Sequence, residues 1–382
     1  MSLIAKAIIA IVVGIMLATL AGTIANTTTV TTPQPSTPSV TEVQPTGGSA
    51  TTPTPQPAPL PPRPMPTAPT PQTKPATPVP PSTPVAPAPP PSTTAATTSS
   101  VQAVTDIVRN AVVNIICTTK TSGSFNSISA SGVFIDSRGI ILTNAHVGQY
   151  FLLKNYSQPD FVTCIIRTGS PASPKYTARL LYLPPAWIAA NASKITSSDP
   201  TGNGEHDYAL IEVTGPVSSS ISMPTSFPAL PISVDPPQES QQTILAAYPA
   251  GFLGGITITK DLYASSAIAT VGDLFTFNAN TLDLFSVGGT ILSQHGSSGG
   301  AVTDLNGVLL GLIVTATDAT TTATRDLRAL SMPYIIGDFV TQTGGTSLDS
   351  YLSGDVNAEA NAYDANTAPA LIQQLEHALG GN

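Results

Sequence analysis

The stretch "SGVFIDSRGIILTNAHV", Ser131 to Val147, decides the fold. Apolar residues alternate through Ser131–Ile135, break at Ser137, Arg138 and Gly139, and resume through Ile140–Asn144. That is the pattern of two short strands joined by a tight turn, and the second strand runs into His146. Working outward, similar runs occur at Val112–Thr118, Phe161–Arg167, Ala178–Tyr182 and Tyr208–Val213, which makes six strands before Gly215. A second set follows. "QQTILAAYPAG" holds one strand and "GITITKDLYASSAIATVGDLFTFNAN" reads as two or three. "AVTDLNGVLLGLIVTATD" is a hairpin turning at Asn306-Gly307, the strongest short hairpin signal. Many short strands with almost no helical period predict an all-β architecture of barrels or a sandwich. The length suits two barrels of about 120 residues each.

The rest of the 382-residue chain is of a different texture. Of its 38 prolines, 23 lie between Thr28 and Pro91. Residues 26–100 carry Thr, Pro, Ser, Ala and Gln and almost no charge. Such a tract cannot bury enough apolar surface to offset its ordering entropy, so a disordered, semi-stiff stalk is expected. Ahead of it, Ala7–Ala25 is 19 residues without a charge. Residues 1–25 therefore read as a transmembrane anchor or, if cleaved, a signal peptide. Either sends the remainder out of the cytoplasm, to a periplasmic or cell-surface site, or into secretion. The net charge of -8, with only 14 basic residues and no basic cluster, argues against a nucleic-acid partner. Two cysteines without a CxxC, and His206, His295 and His377 without ligand spacing, argue against a structural metal. No cofactor motif is present.

Three places can carry chemistry: "ILTNAHV" with His146, "HDYALIEV" with Asp207, and "GSSGGAV" with Ser298. Alone, the histidine reads as a hydrogen-bonded structural residue, the aspartate as a cap, and the Gly/Ser cluster as a loop. In the order His, Asp, Ser, each beside a strand end, they have the makings of an acyl-transfer triad. A serine hydroxyl needs an imidazole to take its proton. The imidazole needs a carboxylate behind it, and the developing oxyanion needs backbone N–H groups that only a glycine-lined loop can converge.

These segments resemble those of the chymotrypsin-type (trypsin-like) serine proteases, in style closest to the bacterial HtrA-like branch. "TNAHV" is similar to the family's "TAAHC", "HDYALIEV" to "DIALIKL", "GSSGGAV" to "GDSGGPL", and "YPAGF" to the "GxPxGx" turn. The separations of 61 and 91 residues fit, and the resemblance covers about residues 105–340. It implies two six-stranded antiparallel β-barrels with the active site between them, barrel 1 at about 105–218 and barrel 2 at about 219–343, within a protease domain at 101–343. It implies His146 as general base and acid, Asp207 as its orienting carboxylate, Ser298 as nucleophile, and the N–H groups of Gly296 and Ser298 as the oxyanion hole. The substrates would be proteins or peptides.

Departures from the family shape the expectations further. Ser297 stands where the digestive enzymes carry the aspartate that pairs with a freshly cut amino terminus, so activation by that trimming is not expected. Leu292 matches the floor of the primary specificity pocket, with Val314 and Thr315 on the opposing wall. That set implies cleavage after small or medium apolar residues, not after Lys or Arg. His295 sits on the rim, as a substrate contact or a solvent-facing residue, and His206 reads as solvent-facing. Cys117 and Cys164 fall on strands that are neighbours in the family's first barrel, which makes a disulfide feasible, while Val147 replaces the usual cysteine beside the histidine. In the tail, 344–382, Leu371, Ile372, Leu375 and Leu379 share one helical face ended by Gly380, which packs back on the protease or mediates self-association. No PDZ domain fits in so few residues. The alternative to an enzyme is a catalytically silent protease-like fold serving as a surface binding module.

Overall fold

The computed structural model describes residues 94–121, 125–197, 202–277, 281–317, 319 and 321–380. The anchor or signal read at 1–25, and the stalk up to residue 93, lie outside the described residues. Among the described residues no helix is long and apolar enough to cross a membrane. Helix α1 (Thr94–Ala111) already begins within the tract read as stalk. It packs on the second sheet, buries Val108 and Ala111, and leads directly into the first strand.

Six strands close into a ring: β1 (Val112–Thr119), β2 (Ile128–Asp136), β3 (Ile140–Thr143), β4 (Val162–Thr168), β5 (Ser173–Tyr182) and β6 (Ala209–Pro216), in the order β1-β2-β3-β6-β5-β4. The β2–β3 turn forms because Gly139 takes φ +99° and the Asp136 carboxylate accepts from the Arg138 backbone N–H at 2.8 Å. Val113, Ile115, Ile141, Ile166, Leu180 and Ile211 share one face and fill the interior, while Val133 and Leu142 are buried on the opposite face. β1 and β4 meet at the closing seam, where Cys117 lies opposite Cys164 and the two form a disulfide.

The second half departs from the expected six-stranded barrel. It is an open, seven-stranded antiparallel sheet in the order β8-β7-β11-β12-β13-β10-β9. Its strands are β7 (Gln242–Ala247), β8 (Ser265–Thr270), β9 (Leu274–Phe275), β10 (Leu284–Gly288), β11 (Ala301–Thr303), β12 (Leu309–Ala316) and β13 (Leu327–Ser331). The physical reason lies in β8 and β9. The chain turns at Val271-Gly272-Asp273 straight after β8, and β9 has two residues, too few for a ladder back to β8. Two hydrogen bonds span the gap instead: Gly272 N–H to the Ser286 carbonyl at 2.9 Å, and Ser286 N–H to the Asp273 carbonyl at 2.8 Å. "GITITK", which alternates as a strand would, is a short helix with no fully buried residue, and only its Ile258 packs partly against the core.

Helices also frame the ring. α2 (Ala145–Leu152) follows β3 and α3 (Pro185–Asn191) follows β5, while α4 (Gly255–Lys260) lies between β7 and β8. The connection between the halves is extended. Phe227 and Leu230 donate to carbonyls of the β2–β3 hairpin, and Leu309 N–H donates to the Pro231 carbonyl. One strap thus touches both sheets. Arg167, fully buried, ties the ring to α4 through the Ile258 and Thr259 carbonyls, and its other bonds go to Asn114 and the Ala172 carbonyl.

Four helices follow β13: α5 (Met332–Gln342), α6 (Leu348–Ser353), α7 (Val356–Asn366) and α8 (Ala368–Ala378). They return across the ring. The Tyr351 and Tyr363 hydroxyls donate to the Leu181 and Leu183 carbonyls at 3.0 and 2.9 Å, and their rings pack around Tyr182 with Phe339. α8 packs on α7, α3, α2 and the turn after α3, burying Leu371, Leu375 and Leu379 in the core with Ile372 packed against it. Replacing Leu375 by Ala is expected to cost about 2–5 kcal/mol of unfolding free energy. Urea denaturation of the purified chain measures it, and a cost under 0.5 kcal/mol would mean that α8 contributes little to the fold.

Candidate active site

Strand register brings the first two site residues together. Thr143 of β3 pairs with Ala209 of β6. His146 lies three residues beyond one partner, in the first turn of α2, and Asp207 two residues before the other. His146 Nδ1 is 2.8 Å from Asp207 Oδ2, and the His146 backbone N–H donates to Oδ1 at 2.9 Å. Asn144 Nδ2 donates to the Asp207 carbonyl at 2.9 Å and Gln149 Nε2 to the His146 carbonyl at 3.0 Å. Asp207 is buried, while the imidazole is one-third exposed on a cleft. Burial pushes the His146 pKa down, but the charge of Asp207 and its hydrogen bond push it up and prevail.

Ser298 sits on a loop between β10 and β11 that is clamped from both halves. Ser131 of β2, fully buried, donates its hydroxyl to the Gly296 carbonyl at 2.7 Å and accepts from the Tyr248 N–H at 2.9 Å. Its backbone N–H donates to the Ser298 carbonyl at 2.8 Å. Ala250 N–H donates to the His295 carbonyl at 2.8 Å, which turns the N–H of the same peptide, that of Gly296, to the opposite side. Among the described residues neither Gly296 N–H nor Ser298 N–H is bonded within the protein. Gly296 has φ +91°, and a Cβ there would stand 2.6 Å from the Tyr248 carbonyl oxygen, so only glycine fits.

His146, Asp207, Gly296, Ser297, Ser298, His295 and Val314 line one cleft with a volume of about 960 Å³. Other expected contacts fall differently. Leu292 is fully buried, in the same apolar cluster as Leu245, Phe285 and Ile313, and is not among the residues that line the cleft. Val314 reaches the cleft from a bulge where β12 shifts register against β13. The Thr315 side chain lies outside the described residues. His295 is exposed on the rim. His206 is not a free loop residue: Nδ1 lies 2.9 and 3.0 Å from the two oxygens of Asp338 on α5, and its N–H donates to the Tyr334 hydroxyl. The Asp338 hydrogen bond raises its pKa against burial, with further help from the charges of Asp338 and Glu205. Sequence reasoning missed Ser131, Asn144 and Arg325, the last of which also lines the cleft. The available signals were a serine heading an otherwise apolar strand and a cation shortly before β13. Among the described residues no His, Cys, Asp and Glu cluster could hold a metal ion.

Residues 130–312, which span His146, Asp207 and Ser298, match the trypsin-like peptidase domain. The chain carries a trypsin-like serine-protease domain. It is classed with the serine endopeptidases on that match. Among solved structures it is similar to the Rv3671c protease in its inactive form (17% identity, 62% of this chain and 91% of that one, TM-score 0.37). It is also similar to the active form of the Rv3671c protease from M. tuberculosis (16% identity, 64% and 85%, TM-score 0.38). No curated protein matches the chain.

Two outcomes follow for this trypsin-like domain. Ser131→Ala releases the Gly296 carbonyl and leaves the Tyr248 N–H unpartnered. It is expected to lower kcat by up to about 100-fold with KM within a few-fold, read from steady-state kinetics on folded protein; an unchanged kcat would deny Ser131 a positioning role. The raised His146 pKa fixes a pH limb. With His146 as general base, the ring must be neutral, so kcat/KM should fall as pH falls, with its midpoint above the ordinary value of about 6.5. A midpoint below that value would contradict the dominance of Asp207.

Proposed function

We propose that the chain is an extracytoplasmic serine endopeptidase that hydrolyses peptide bonds through an acyl-enzyme on Ser298. The observation that carries the reading is the 2.8 Å His146–Asp207 pair facing the same cleft as Ser298, whose loop leaves the Gly296 and Ser298 amides unbonded.

In this reading His146 takes the Ser298 proton at Nε2 as Oγ adds to the substrate carbonyl carbon. Asp207 holds the ring through Nδ1–H and stabilises the imidazolium. The carbonyl oxygen gains the electron pair and accepts from the Gly296 and Ser298 N–H groups. The C–N bond breaks as His146 returns its proton to the leaving amine. Water, deprotonated by the same imidazole, then releases the acyl group. Exposed segments of proteins are the substrates, and residues 1–25 and the stalk would hold the domain outside the cytoplasm. The Cys117–Cys164 disulfide supports an oxidising compartment.

The test is covalent. A fluorophosphonate probe should tag the purified full chain at one site, Ser298→Ala should abolish the tag, and Ser297→Ala should retain it. An unlabelled wild-type chain at every pH between 6 and 9 would favour a silent, binding-only fold.

A further inference from the structure

The cleft contains a cation with no charge partner. Arg325, in the loop between β12 and β13, lines the same cleft as Ser298, together with Val314, Thr317 and Leu327. Its Nη1 donates to the carbonyl of Ser293 at 3.0 Å, five residues before the nucleophile, and its Nη2 to the Ala319 carbonyl at 3.0 Å. Its guanidinium therefore abuts the segment that leads to Ser298. Among the described residues no carboxylate pairs with it. The nearest acid in sequence is already committed: Asp326 pairs with Arg328 at 2.9 Å and accepts from the Ser286 hydroxyl. Arg328, the other arginine on the cleft, is thereby neutralised and lies over the Phe275 ring.

Comparison within the molecule separates a structural arginine from a receptive one. Arg167 is fully buried and makes four hydrogen bonds to neutral acceptors. It is a guanidinium satisfied by the fold. Arg325 is half-buried, has two such bonds, and opens on the cleft. A guanidinium carries five N–H donors, so donors remain for an incoming acceptor, and a carboxylate matches that fork in shape and charge. The floor residue Leu292 is sealed in the core and offers the pocket nothing.

We infer that the pocket beside Ser298 receives an acidic side chain on Arg325, so that the peptidase cuts after glutamate or aspartate. The inference rests on the serine-peptidase reading above and replaces the small apolar preference expected from Leu292. Of the other charged groups on the cleft, Asp207 is engaged by His146. Glu205 stands on the His146 side beside His206, and Lys194 belongs to the segment after α3. Neither adjoins the Ser293–Ser298 segment through a bond, whereas Arg325 does.

The experiment uses the full chain and four peptides identical except for Glu, Gln, Leu or Lys before the scissile bond, with fluorophosphonate labelling run alongside. Wild type should cut the Glu peptide with kcat/KM about 100-fold above the Gln peptide. Arg325→Gln should erase that ratio while the labelling rate holds, and Arg325→Lys should retain a reduced preference for Glu. Intact labelling with a flat profile, or with a preference for Leu or Lys, overturns the pocket assignment and leaves the peptidase reading standing. Absent labelling and absent cleavage overturn both. If Arg325→Gln fails to fold, the wild-type Glu-to-Gln ratio decides alone, and a ratio near one overturns the inference.

Discussion

The buried hydroxyl of Ser131 is the contact on which the site depends. It belongs to the closed ring, yet it fixes two points of the other half, the Gly296 carbonyl and the Tyr248 N–H, and the backbone of the same residue holds the Ser298 carbonyl. A hydroxyl can donate once and accept at the same time, which is why a serine does here what alanine or valine cannot. With full burial there is no water to compete, so both bonds must be made or the unpaired groups carry the cost of desolvation. The loop that presents Ser298 is thus indexed against the strand hairpin that presents His146.

The His146–Asp207 pair is arranged with comparable compactness. Asp207 and His146 come from segments flanking the β3–β6 ladder, and the ladder's register sets their approach. The carboxylate spends one oxygen on the backbone N–H of His146 and the other on its ring. Orientation and charge stabilisation therefore arise from one residue, with Asn144 restraining the Asp207 backbone from behind. The neighbouring His206–Asp338 pair anchors the same short loop to α5, so the helices after the second sheet also bear on where Asp207 stands.

Much of this was legible in the sequence where local rules and tertiary rules agree. The β2–β3 hairpin follows from alternation and from Gly139, and the residues flanking it announce His146. The same alternation misled at Gly255–Lys260, which forms a short helix that sets only Ile258 partly against the core. It could not reveal that the second sheet stays open, because closure depends on whether β9 is long enough to reach β8, and strand ends are set by pairing. The tail showed its apolar face through Leu371, Leu375 and Leu379, but the elements it packs on, α2, α3 and the turn after α3, lie far away in sequence. Arg325 was invisible for a related reason: nothing local shows that an arginine before β13 will tie the Ser293 and Ala319 carbonyls and line the cleft.

The two halves differ in how they are held. One is a ring, stapled at its seam by Cys117 and Cys164. The other is a sheet with two free margins and a pair of single bonds across the gap. Stiffness is therefore distributed unevenly, and in a useful direction. The hydrogen-bonded His146–Asp207 pair sits on the stapled side. Ser298 and Arg325 sit on the side with the unsealed edge, so whatever give there is between the halves is taken up there.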